Sequence, residues 1–517
     1  MSWNDMTERV KRGIRSWLNV NAASPLSIQI NETMDYEVNA IRNRIWYRGD
    51  SSELQQLYEQ IHNGVDSYKF WACKCSPGME IRKIHTGLPA LIVDVLAGIV
   101  ITDMSISIEN DRSTQELWEK ISKDNKFRKK IEKAVKETLY IGDGAFKISF
   151  DAEIGPYPII EFYPGDRIEL VTNRGRVREI IFKTEYIHKG NKYILDEHYG
   201  YGKITYELYS ENKPVLLNTI PQTANLVDVE FGSKDAPYMM AVPIQFYESG
   251  KWDERGQSIY DKKIDSFDAL DEAWSQWMDA LRAGRAKEYI PENMIPRHPE
   301  TGEMLKPNHF DNRYIKIDAD MSEGGTNKIE VEQPEIPHQS YFQTYVTALD
   351  LCLQGLISPS TLGIDMKKLD NADAQREKEK ATLYTRDAII NALQVDIPLL
   401  VETCIKAYYE YIREKARDVK VTVNFGDYAN PSFESQVETI GKARSGQMMS
   451  VEAAVEELYG DDKDENWKKD EVGRIKTELG IAEMEEPAAN EDLWMNVEGK
   501  DESIGGKKNI SDEQKEI

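Results

Sequence analysis

The sequence predicts an α+β protein in which antiparallel strands and long helices occupy separate stretches of the chain. From about residue 145 to 249, apolar and polar residues alternate in short segments separated by turn signals such as "PGD" and "TNRGR", which is typical of an antiparallel meander. From residue 258 onward, apolar residues instead recur every three or four positions, which is typical of amphipathic helices. The strands are not interleaved with helices, so a parallel βαβ array is not predicted.

Size and charge limit the function classes before any motif is considered. The chain has 517 residues, 40% of them apolar, which is enough for two to four domains with large cores. Its formal net charge is −25 and its pI is about 4.9. Affinity for nucleic acid comes from Lys and Arg displacing counterions. The sequence therefore disfavours tight DNA binding over a broad surface but leaves weak contact open.

The four cysteines, Cys73, Cys75, Cys352 and Cys404, are too few for a disulfide framework. No signal peptide is recognised, so we expect a reducing cytosol. Cys73 and Cys75, with His85 ten residues further on, could contribute to a zinc site. Structural zinc needs four ligands, and no second pair lies nearby. Buried or unreactive thiols are the favoured interpretation, and no metal or other cofactor is predicted.

The first half of the chain is expected to begin with helices and continue into the β layer. The first 30 residues form a basic amphipathic segment. A helix ending at Gly49 follows, and Ser51 or Ser52 caps the next one. The apolar segment 88–101 is shorter than the roughly 20 residues of a membrane span, so it is predicted to be a buried helix. A helix over 126–140 leads into the first strand through "IGDGAFKISF".

The centre of the chain predicts two long helices separated by a proline-rich excursion. The first spans 258–285, nearly 30 residues, or about 42 Å at 1.5 Å per residue. The excursion, 288–338, holds short strands, and the second helix covers 339–357. The apolar seam of the first helix is formed by Phe267, Leu270, Trp274, Trp277 and Leu281. Coiled-coil-like seams are more often packing than function, so the two tryptophans are predicted to be core or subunit-contact residues.

A polar loop and a third long helix follow. The helix is predicted from about 374 to 417, with Asp373 as its N-cap and a kink at Pro398, which lacks an N–H. A short strand "VKVTVNF" and a helix capped by Ser450 come next. The residues from 481 onward have little to bury and are expected to be disordered.

Motifs of catalysis are absent from the sequence. It contains no G-x-x-x-x-G-K-[ST], no H-E-x-x-H and no G-x-S-x-G. The seven histidines are scattered, and none has a triad context. Carboxylates are so abundant that pairing any two as a glycosidase site carries no information without geometry. No catalytic residue is assigned, and the protein is not expected to be an enzyme.

The order and spacing of four segments resemble the portal (head–tail connector) proteins of tailed bacteriophages, in the branch of long-tailed phages of Gram-positive hosts. The similarity extends over roughly residues 30–460. None of the segments is a catalytic motif. They are "NRIWYRGDSSELQQLY", "LYIGDGAFKISF", "LDEAWSQWMDALRAGRAKEYIPENMI" and "VNFGDYANPSFESQVETIGKARSGQMMSVEAAVEELYG".

The resemblance implies a non-enzymatic ring, usually of twelve subunits, at one vertex of the capsid. The ring would be assembled in the host cytoplasm and become part of the virion. Its partners would be the terminase large subunit, the major capsid and scaffolding proteins and the head–tail adaptors, with no membrane involved. The implied division of the chain is 1–255 wing, 256–287 first stem helix, 288–338 clip, 339–357 second stem helix, 358–373 tunnel loop, 374–480 kinked helix, wing strand and crown, and 481–517 acidic tail.

The resemblance also implies which residues meet double-stranded DNA. The tunnel loop would project into the channel with a mixed set of charges, since each neutralised phosphate adds affinity that would stall translocation. At the junction of stem and clip, two arginines and a lysine would face the channel or a neighbouring subunit, and the two stem tryptophans would be core or subunit-contact residues. The loop set is Asp365, Lys367, Lys368, Asp370 and Asn371, and the stem set is Trp274, Trp277, Arg282, Arg285 and Lys287.

Two other hypotheses remain open at this point. One is a phage adaptor or scaffold that binds proteins without forming a channel. The other is an acidic-site hydrolase built on the β meander, which predicts a deep pocket with converging carboxylates. An image of the assembled particle separates the first from a portal, and the environment of the carboxylates bears on the second.

Overall fold

The structure, a computed structural model, describes residues 34–61, 68–74, 81–109, 111–233, 236–291, 294–295, 297–303, 314–317, 330–364, 372–414, 419–426, 433–446, 448–459 and 464–478. The chain divides into two units, Met1–Tyr428 and Ala429–Ile517. The predicted basic segment at the start and the predicted acidic tail lie outside the described residues.

The described helices of the first unit come in four groups along the chain, separated by strands. Their bounds are α1 Tyr36–Arg48, α2 Ser51–Gln60, α3 Leu88–Ile101, α4 Arg112–Asn125, α5 Phe127–Ile141, α6 Ile264–Ala283, α7 His338–Leu353 and α8 Ala372–Tyr411.

The strands are short except in the middle of the β layer, where one reaches 13 residues. Their bounds are β1 Ser105–Ile108, β2 Asp143–Ser149, β3 Ile159–Pro164, β4 Ile168–Asn173, β5 Arg176–His188, β6 Asn191–Gly200, β7 Lys203–Ser210, β8 Lys213–Val215, β9 Val229–Glu230, β10 Ala241–Gln245, β11 Lys287–Pro291, β12 Tyr314–Ile317, β13 Glu330–Glu332 and β14 Val421–Asn424.

The α+β class is confirmed, and the predicted meander is two antiparallel sheets. One sheet has the order β10-β2-β3, and the other has β4-β5-β6-β7-β8 with β9 on β7. At the "TNRGR" turn, Arg174 and Gly175 both have positive φ, the backbone that a tight two-residue hairpin requires. Two further small sheets pair β1 with β14 and place β11 between β12 and β13, with β11 and β12 parallel.

The core of the first unit surrounds the apolar helix α3, which was predicted to be buried. Ile92, Val93 and Leu96 on this helix are fully buried, and they belong to one hydrophobic cluster that extends from α1 to β14. Helix α5 contributes Ile131 and Val135, which are fully buried. Burying this apolar surface is the main favourable contribution to the unit's stability.

Helix α8 runs through Pro398 and supplies a second apolar wall of the core. It begins at Ala372 and ends at Tyr411, so the prediction that it continues to about residue 417 is wrong. Asp373 lies inside the helix, so the prediction that it is the N-cap is wrong as well. Within the described residues, one stretch, Glu379–Tyr411, has the length and hydropathy of a membrane span by composition alone, and half of its most apolar window is buried. A buried core helix meets the same criterion, so this is weak evidence for a membrane.

Helix α6 is shorter than predicted because side-chain hydrogen bonds fold the residues before it into turns. The Ser258 hydroxyl donates to the Tyr140 carbonyl at 2.7 Å, and the Lys263 N–H donates to the Tyr260 carbonyl at 2.8 Å. Buried Tyr260 donates its hydroxyl to the Pro89 carbonyl at 2.6 Å. The helix therefore has 20 residues, about 30 Å, instead of the predicted 42 Å.

Two other helix boundaries also differ from the prediction. Helix α7 ends at Leu353, and the chain turns at Gly355, whose φ of 76° is in the left-handed region that often follows a helix end. Helix α2 is capped by Asp50, whose carboxylate accepts the Ser52 N–H at 2.7 Å. The predicted caps, Ser51 and Ser52, are helical residues. An N-cap carboxylate also suits the positive end of the helix dipole.

The "GDG" sequence after α5 is a structural joint. Asp143 is buried and accepts hydrogen bonds from the Tyr36 hydroxyl at 2.7 Å, the Arg255 guanidinium at 2.9 Å twice, and the Gly256 N–H at 2.7 Å. The backbones of Gly142 and Gly256 approach so closely that a Cβ on either would collide with the other. Small residues are required here because two chain segments cross.

The second unit contains three helices among its described residues: α9 Phe433–Ser445, α10 Val451–Tyr459 and α11 Glu465–Glu478. Ser450 caps α10 as predicted, since its hydroxyl accepts the Ala453 N–H at 3.1 Å. The ammonium of Lys476 on α11 lies 2.7 Å from the carboxylate of Glu452 on α10. This ion pair and the first-turn position of Glu452 both favour the charged carboxylate, and the pKa of Glu452 is lowered to about 2.

Replacing Gly144 on β2 with alanine is expected to destabilise the first unit by about 1–3 kcal/mol, the usual range for overpacking. The new Cβ would lie 2.8 Å from the Tyr163 carbonyl oxygen on β3 and against the Phe162 ring. Gly155→Ala is the matched control, because nothing lies within 4 Å of its Cβ position. Urea unfolding measures both; equal midpoints for the two variants would contradict the close approach.

Replacing Asp396 on α8 with asparagine is expected to stabilise the protein at pH 8 by on the order of 1–2 kcal/mol and to do nothing below pH 4. Burial raises the pKa of Asp396 to about 7. The folded state therefore holds a proton that the unfolded state has released, so stability falls as pH rises from about 4 to 7. Exposed Asp387 on the same helix is the control.

Thermal unfolding of Asp396→Asn and Asp387→Asn across this pH range checks the prediction. A stabilisation that is the same at pH 4 and pH 8, or that appears equally in both variants, would show that burial of the Asp396 carboxylate is not the cause.

Candidate functional site: the helical hairpin and the base of the predicted loop

Helices α6 and α7 form a hairpin whose contact is aromatic. The ring centroids of Trp274 and Trp277 lie 5.7 Å apart, nearly perpendicular to each other. Trp274 meets Tyr345 at 5.5 Å, and Trp277 stacks on Tyr341 at 6.5 Å with an interplanar angle of 10°. Aromatic pairs in this range add to the stabilisation from buried area. Phe342, beside Trp277, remains 54% exposed.

Both ends of the hairpin are fixed. At one end, the ammonium of Lys263 donates to the carbonyls of Leu351 and Gln354, each at 2.8 Å. A cation at a helix C-terminus satisfies its unpaired carbonyls and suits its dipole, although burial lowers the pKa of Lys263. At the other end, Gly284 lies so close to the Ile336 side chain that a Cβ on the glycine would collide with it.

The polar side of α6 is buried against the described residues of segment 69–86, which are 69–74 and 81–86. Asp271, fully buried, accepts hydrogen bonds from the Trp71 indole N–H at 3.1 Å, the Thr86 N–H at 2.9 Å and the Thr86 hydroxyl at 2.9 Å. The Nδ1 atom of His85 lies 2.7 Å from the same carboxylate. A buried carboxylate is tolerated when donors surround it, so Asp271 joins this segment to the hairpin.

Asp268, one helical turn earlier, continues this contact. Its carboxylate accepts the Phe70 N–H at 2.8 Å, and burial raises its pKa, partly offset by the backbone N–H groups of Phe70 and Trp71. The Ser275 hydroxyl accepts the Ile84 N–H at 3.0 Å. These bonds satisfy backbone donors that would otherwise be buried without partners.

The zinc hypothesis gains no support from this geometry. The side chain of His85 is 2% exposed and its Nδ1 is bonded to Asp271, whereas Cys73 is exposed and Cys75 lies outside the described residues. No group of three or more potential metal ligands occurs within the described ranges. Cys352 and Cys404 are buried thiols, and burial raises the pKa of Cys352 to about 12.

The chain leaves α7 through a set of hydroxyl hydrogen bonds to α8. The Ser358 N–H donates to the Thr382 hydroxyl at 2.8 Å, and the Thr361 hydroxyl lies 3.1 Å from the same oxygen. The Thr385 hydroxyl donates to the Leu356 carbonyl at 2.6 Å. Ser358, Thr382 and Thr385 are buried. Residues 356–361 are therefore fixed to α8, and they form the base of the predicted loop.

The structure places the predicted stem residues as follows, and their contacts with other subunits stay predictions. Trp274 and Trp277 pack between α6 and α7, within one chain. Arg282 is in the last turn of α6, and Arg285 follows the end of that helix. Lys287 is the first residue of β11, and it lies opposite Glu332 in the antiparallel backbone pairing of β11 with β13. The predicted DNA-facing residues Asp365, Lys367, Lys368, Asp370 and Asn371 lie outside the described residues.

Sequence reasoning missed two parts of this site. The spacing of Asp268, Asp271 and Ser275, three and then four residues, is the same as that of the apolar seam. The spacing therefore marked a second buried face of the helix. This face was missed because a stripe of acidic residues on a helix is ordinarily interpreted as solvent-exposed. The hydroxyl groups of the loop base gave no signal, because Ser and Thr are common in loops.

The two fully buried carboxylates described above, Asp143 and Asp271, do not resemble a hydrolase centre. Asp143 and Asp271 are each saturated by donors from the protein, and they face packed aromatic groups such as Tyr36 and Trp71. A general base must instead reach a substrate proton. The environment of these carboxylates gives the hydrolase hypothesis no support.

A family model described as "Phage portal protein, SPP1 Gp6-like" matches residues 37–351. The matched stretch is more than half of the 517 residues and includes both sheets and the hairpin. It defines the class of this protein as a portal, or head–tail connector, which is a structural component of the phage particle. The chain belongs to the SPP1 Gp6-like portal family, so the predicted resemblance is confirmed at the family level.

Two solved structures are similar to the chain. "Neck of native GTA particle computed with C12 symmetry" has a TM-score of 0.38 at 12% identity, and covers 72% of this chain and 89% of its own. "Neck of empty GTA particle computed with C6 symmetry" has a TM-score of 0.36 at 12% identity, with 70% and 87% covered. No curated protein sequence matches the chain.

Replacing Asp271 with alanine is expected to cost about 3–5 kcal/mol of stability, since it leaves buried donors without an acceptor. Glu272→Ala, the neighbouring position on a more exposed face, is the control and should cost less than about 0.5 kcal/mol. Denaturant unfolding gives both values. If Asp271→Ala were as stable as the control, the carboxylate would not be what holds segment 69–86 to the hairpin.

Proposed function

We propose that this protein forms a closed ring of twelve subunits at one vertex of the capsid, through which double-stranded DNA passes during packaging and ejection. The observation that carries the proposal is membership of the portal family over residues 37–351. A ring is also physically favoured, because a head-to-tail interface that closes leaves no unsatisfied edge. The ring would have no enzymatic activity, and a separate ATP-driven motor would move the DNA.

The parts of the chain take the following roles in the proposal. Residues up to about 255 form the outer wing, the hairpin of α6 and α7 is the stem, and 288–337 is the clip. Residues 358–371 form the tunnel loop on its hydroxyl base, and the chain from α8 to about 480 forms the kinked helix, the wing strand and the crown. The partners are the terminase large subunit, the major capsid and scaffolding proteins, and the head–tail adaptors.

The loop is proposed to touch phosphates without holding them. Lys367 and Lys368 meet the DNA backbone, while Asp365 and Asp370 keep the local net charge near zero and Asn371 adds a neutral polar group. Each neutralised phosphate would add affinity and slow translocation. The wall of the channel also opposes adhesion of the DNA. Twelve subunits of charge −25 carry a total charge of about −300. The charges that face the channel act on the DNA, and salt screens the rest.

Reversing the charge of the loop tests the DNA-facing assignment. Lys367→Glu with Lys368→Glu is expected to leave rings intact and to reduce the DNA packaged or retained per particle about tenfold, because repulsion replaces attraction where the loop meets the DNA. The matched control reverses two exposed lysines in the β layer, Lys189 and Lys213. Negative-stain images score the rings, and nuclease-protected DNA per particle scores packaging.

The outcomes separate the levels of the proposal. Intact rings with unchanged packaging in the loop variant would remove Lys367 and Lys368 from the DNA path. Native mass spectrometry showing only monomers or dimers at capsid-like concentration would overturn the ring. A ring without a hole wide enough for duplex DNA would favour the channel-free adaptor.

A further inference from the structure

A strongly basic corner interrupts the otherwise acidic chain. Residues 120–130, "KISKDNKFRKK", contain six Lys or Arg and one acid, Asp124, for a net charge of about +5 in a protein of −25. The segment covers the end of α4 and the start of α5, outside the hairpin and the predicted loop. Its exposed cations belong neither to the hydrophobic core nor to the proposed channel.

The backbone brings the ends of the two helices together at Lys126. Its N–H donates to the Lys123 and Ser122 carbonyls and closes α4, and α5 begins at the next residue. Lys126 has a φ of 50°, in the left-handed region where helix ends usually place Gly or Asn. The sharp turn concentrates the charges of both helices at one corner of the surface.

Four lysines at this corner, Lys120, Lys123, Lys126 and Lys129, are exposed. Within the described part of the chain, none of the four ammonium groups has a hydrogen bond or an ion pair. We call these four residues the lysine corner. Lys120 and Lys123 share a face of α4, because residues three apart are neighbours on a helix.

The other cations nearby have structural partners. Arg128 donates to the Thr102 carbonyl, and Lys130 donates to the Asn125 side chain at 3.1 Å and to the Ile160 carbonyl. Lys133 and Lys136 pair with carboxylates on their own helix. The lysine corner is therefore the part of the basic segment that packing within the described part of the chain does not use.

The acids around the corner are largely engaged. Glu116 faces Arg112 at 3.4 Å, and Glu119 accepts the Gln115 amide at 3.3 Å. Glu132 pairs with Lys136 at 2.9 Å, and Glu137 lies 3.9 Å from Lys133. In the described residues 120–130, Asp124 is the one acid, so the local field there is positive.

Helix stability explains a lysine at the end of α4 but not Lys129 in the first turn of α5. Lys123 suits the negative end of α4, but the first turn of α5 holds three cations and no acid. A helix N-terminus carries partial positive charge and favours acids, so the fold alone would select the opposite charge at Lys129. A requirement outside the chain explains the residue better.

We propose that the lysine corner binds the phosphate backbone of double-stranded DNA without regard to sequence, at a place separate from the predicted loop. Lysine is depleted at protein–protein interfaces, whereas lysines that release counterions are the usual source of affinity for phosphates. The distant acids of the chain do not cancel this attraction, because charges more than about 8–10 Å away are screened at physiological salt. The inference rests on the proposed function only in that a portal has duplex DNA nearby.

The test compares two triple variants of the full chain. The corner variant removes three charges from the lysine corner and carries Lys123→Gln, Lys126→Gln and Lys129→Gln. The control variant removes the same charge from exposed positions in the β layer and carries Lys189→Gln, Lys203→Gln and Lys213→Gln. Fluorescence anisotropy with a short labelled duplex gives affinity over a series of salt concentrations. Circular dichroism melting establishes that both variants are folded.

The corner variant is expected to bind the duplex about tenfold more weakly at low salt. The slope of its log affinity against log salt should fall by about 0.9 for each phosphate that the lysines no longer neutralise. The control variant should keep the slope of the unmodified protein. Equal weakening in both variants would show an effect of net charge and overturn the proposal, as would an unchanged slope in the corner variant.

Two further measurements keep the conclusions separate. Anionic phospholipid vesicles and an acidic peptide serve as alternative probes; weaker binding to either in the corner variant, with DNA binding unchanged, would overturn the assignment to DNA. Ring formation is scored on the same samples. If rings form but the corner variant binds DNA as the unmodified protein does, the lysine corner is overturned and the proposed function stands. If DNA binding depends on the corner but no rings form, the proposed ring is overturned and the lysine corner stands.

Discussion

The arrangement of the first unit depends on keeping a few charged carboxylates hydrogen-bonded away from water. Asp271 meets this requirement with donors that include Trp71, which lies 200 positions earlier in the sequence. An uncompensated charge in the interior costs more than most single contacts contribute. Helix α6 can therefore bury its polar face only when segment 69–86 is in place, and the hairpin is built onto the first unit through that contact. Asp143 joins β2 to Tyr36 and Arg255 in the same way.

The sequence was a good guide where a repeating pattern determines structure. The apolar seam through Trp274 and Trp277 predicted a helix facing another helix, and the alternation after residue 145 predicted antiparallel strands. Both follow from the geometry of side chains on a helix or a strand. The pattern does not contain the partner, however, so neither the division into two sheets nor the pairing of β1 with β14 could be predicted.

Boundaries were predicted wrongly where side chains bind backbone groups. The periodicity of the first stem helix continues back to Tyr260, yet the Ser258 hydroxyl and the Tyr260 hydroxyl hold that stretch in turns. For the candidate site too, the sequence was informative about the helices and uninformative about contacts between distant segments. Family resemblance identified the hairpin, but its buried acids and the hydroxyl groups under the loop depend on contacts between segments far apart in the sequence. The assignment of loop residues 365–371 rests on the resemblance and on electrostatics.

The hairpin is closed by Lys263 at one end and by the contact of Gly284 with Ile336 at the other. The relative position of the two helices is thus set by residues on the helices and immediately beside them, Ile336 among them. Because the entropy cost of closing a loop grows only slowly with its length, insertions or deletions in the stretch between Gly284 and Ile336 are expected to leave the spacing of the paired helices unchanged.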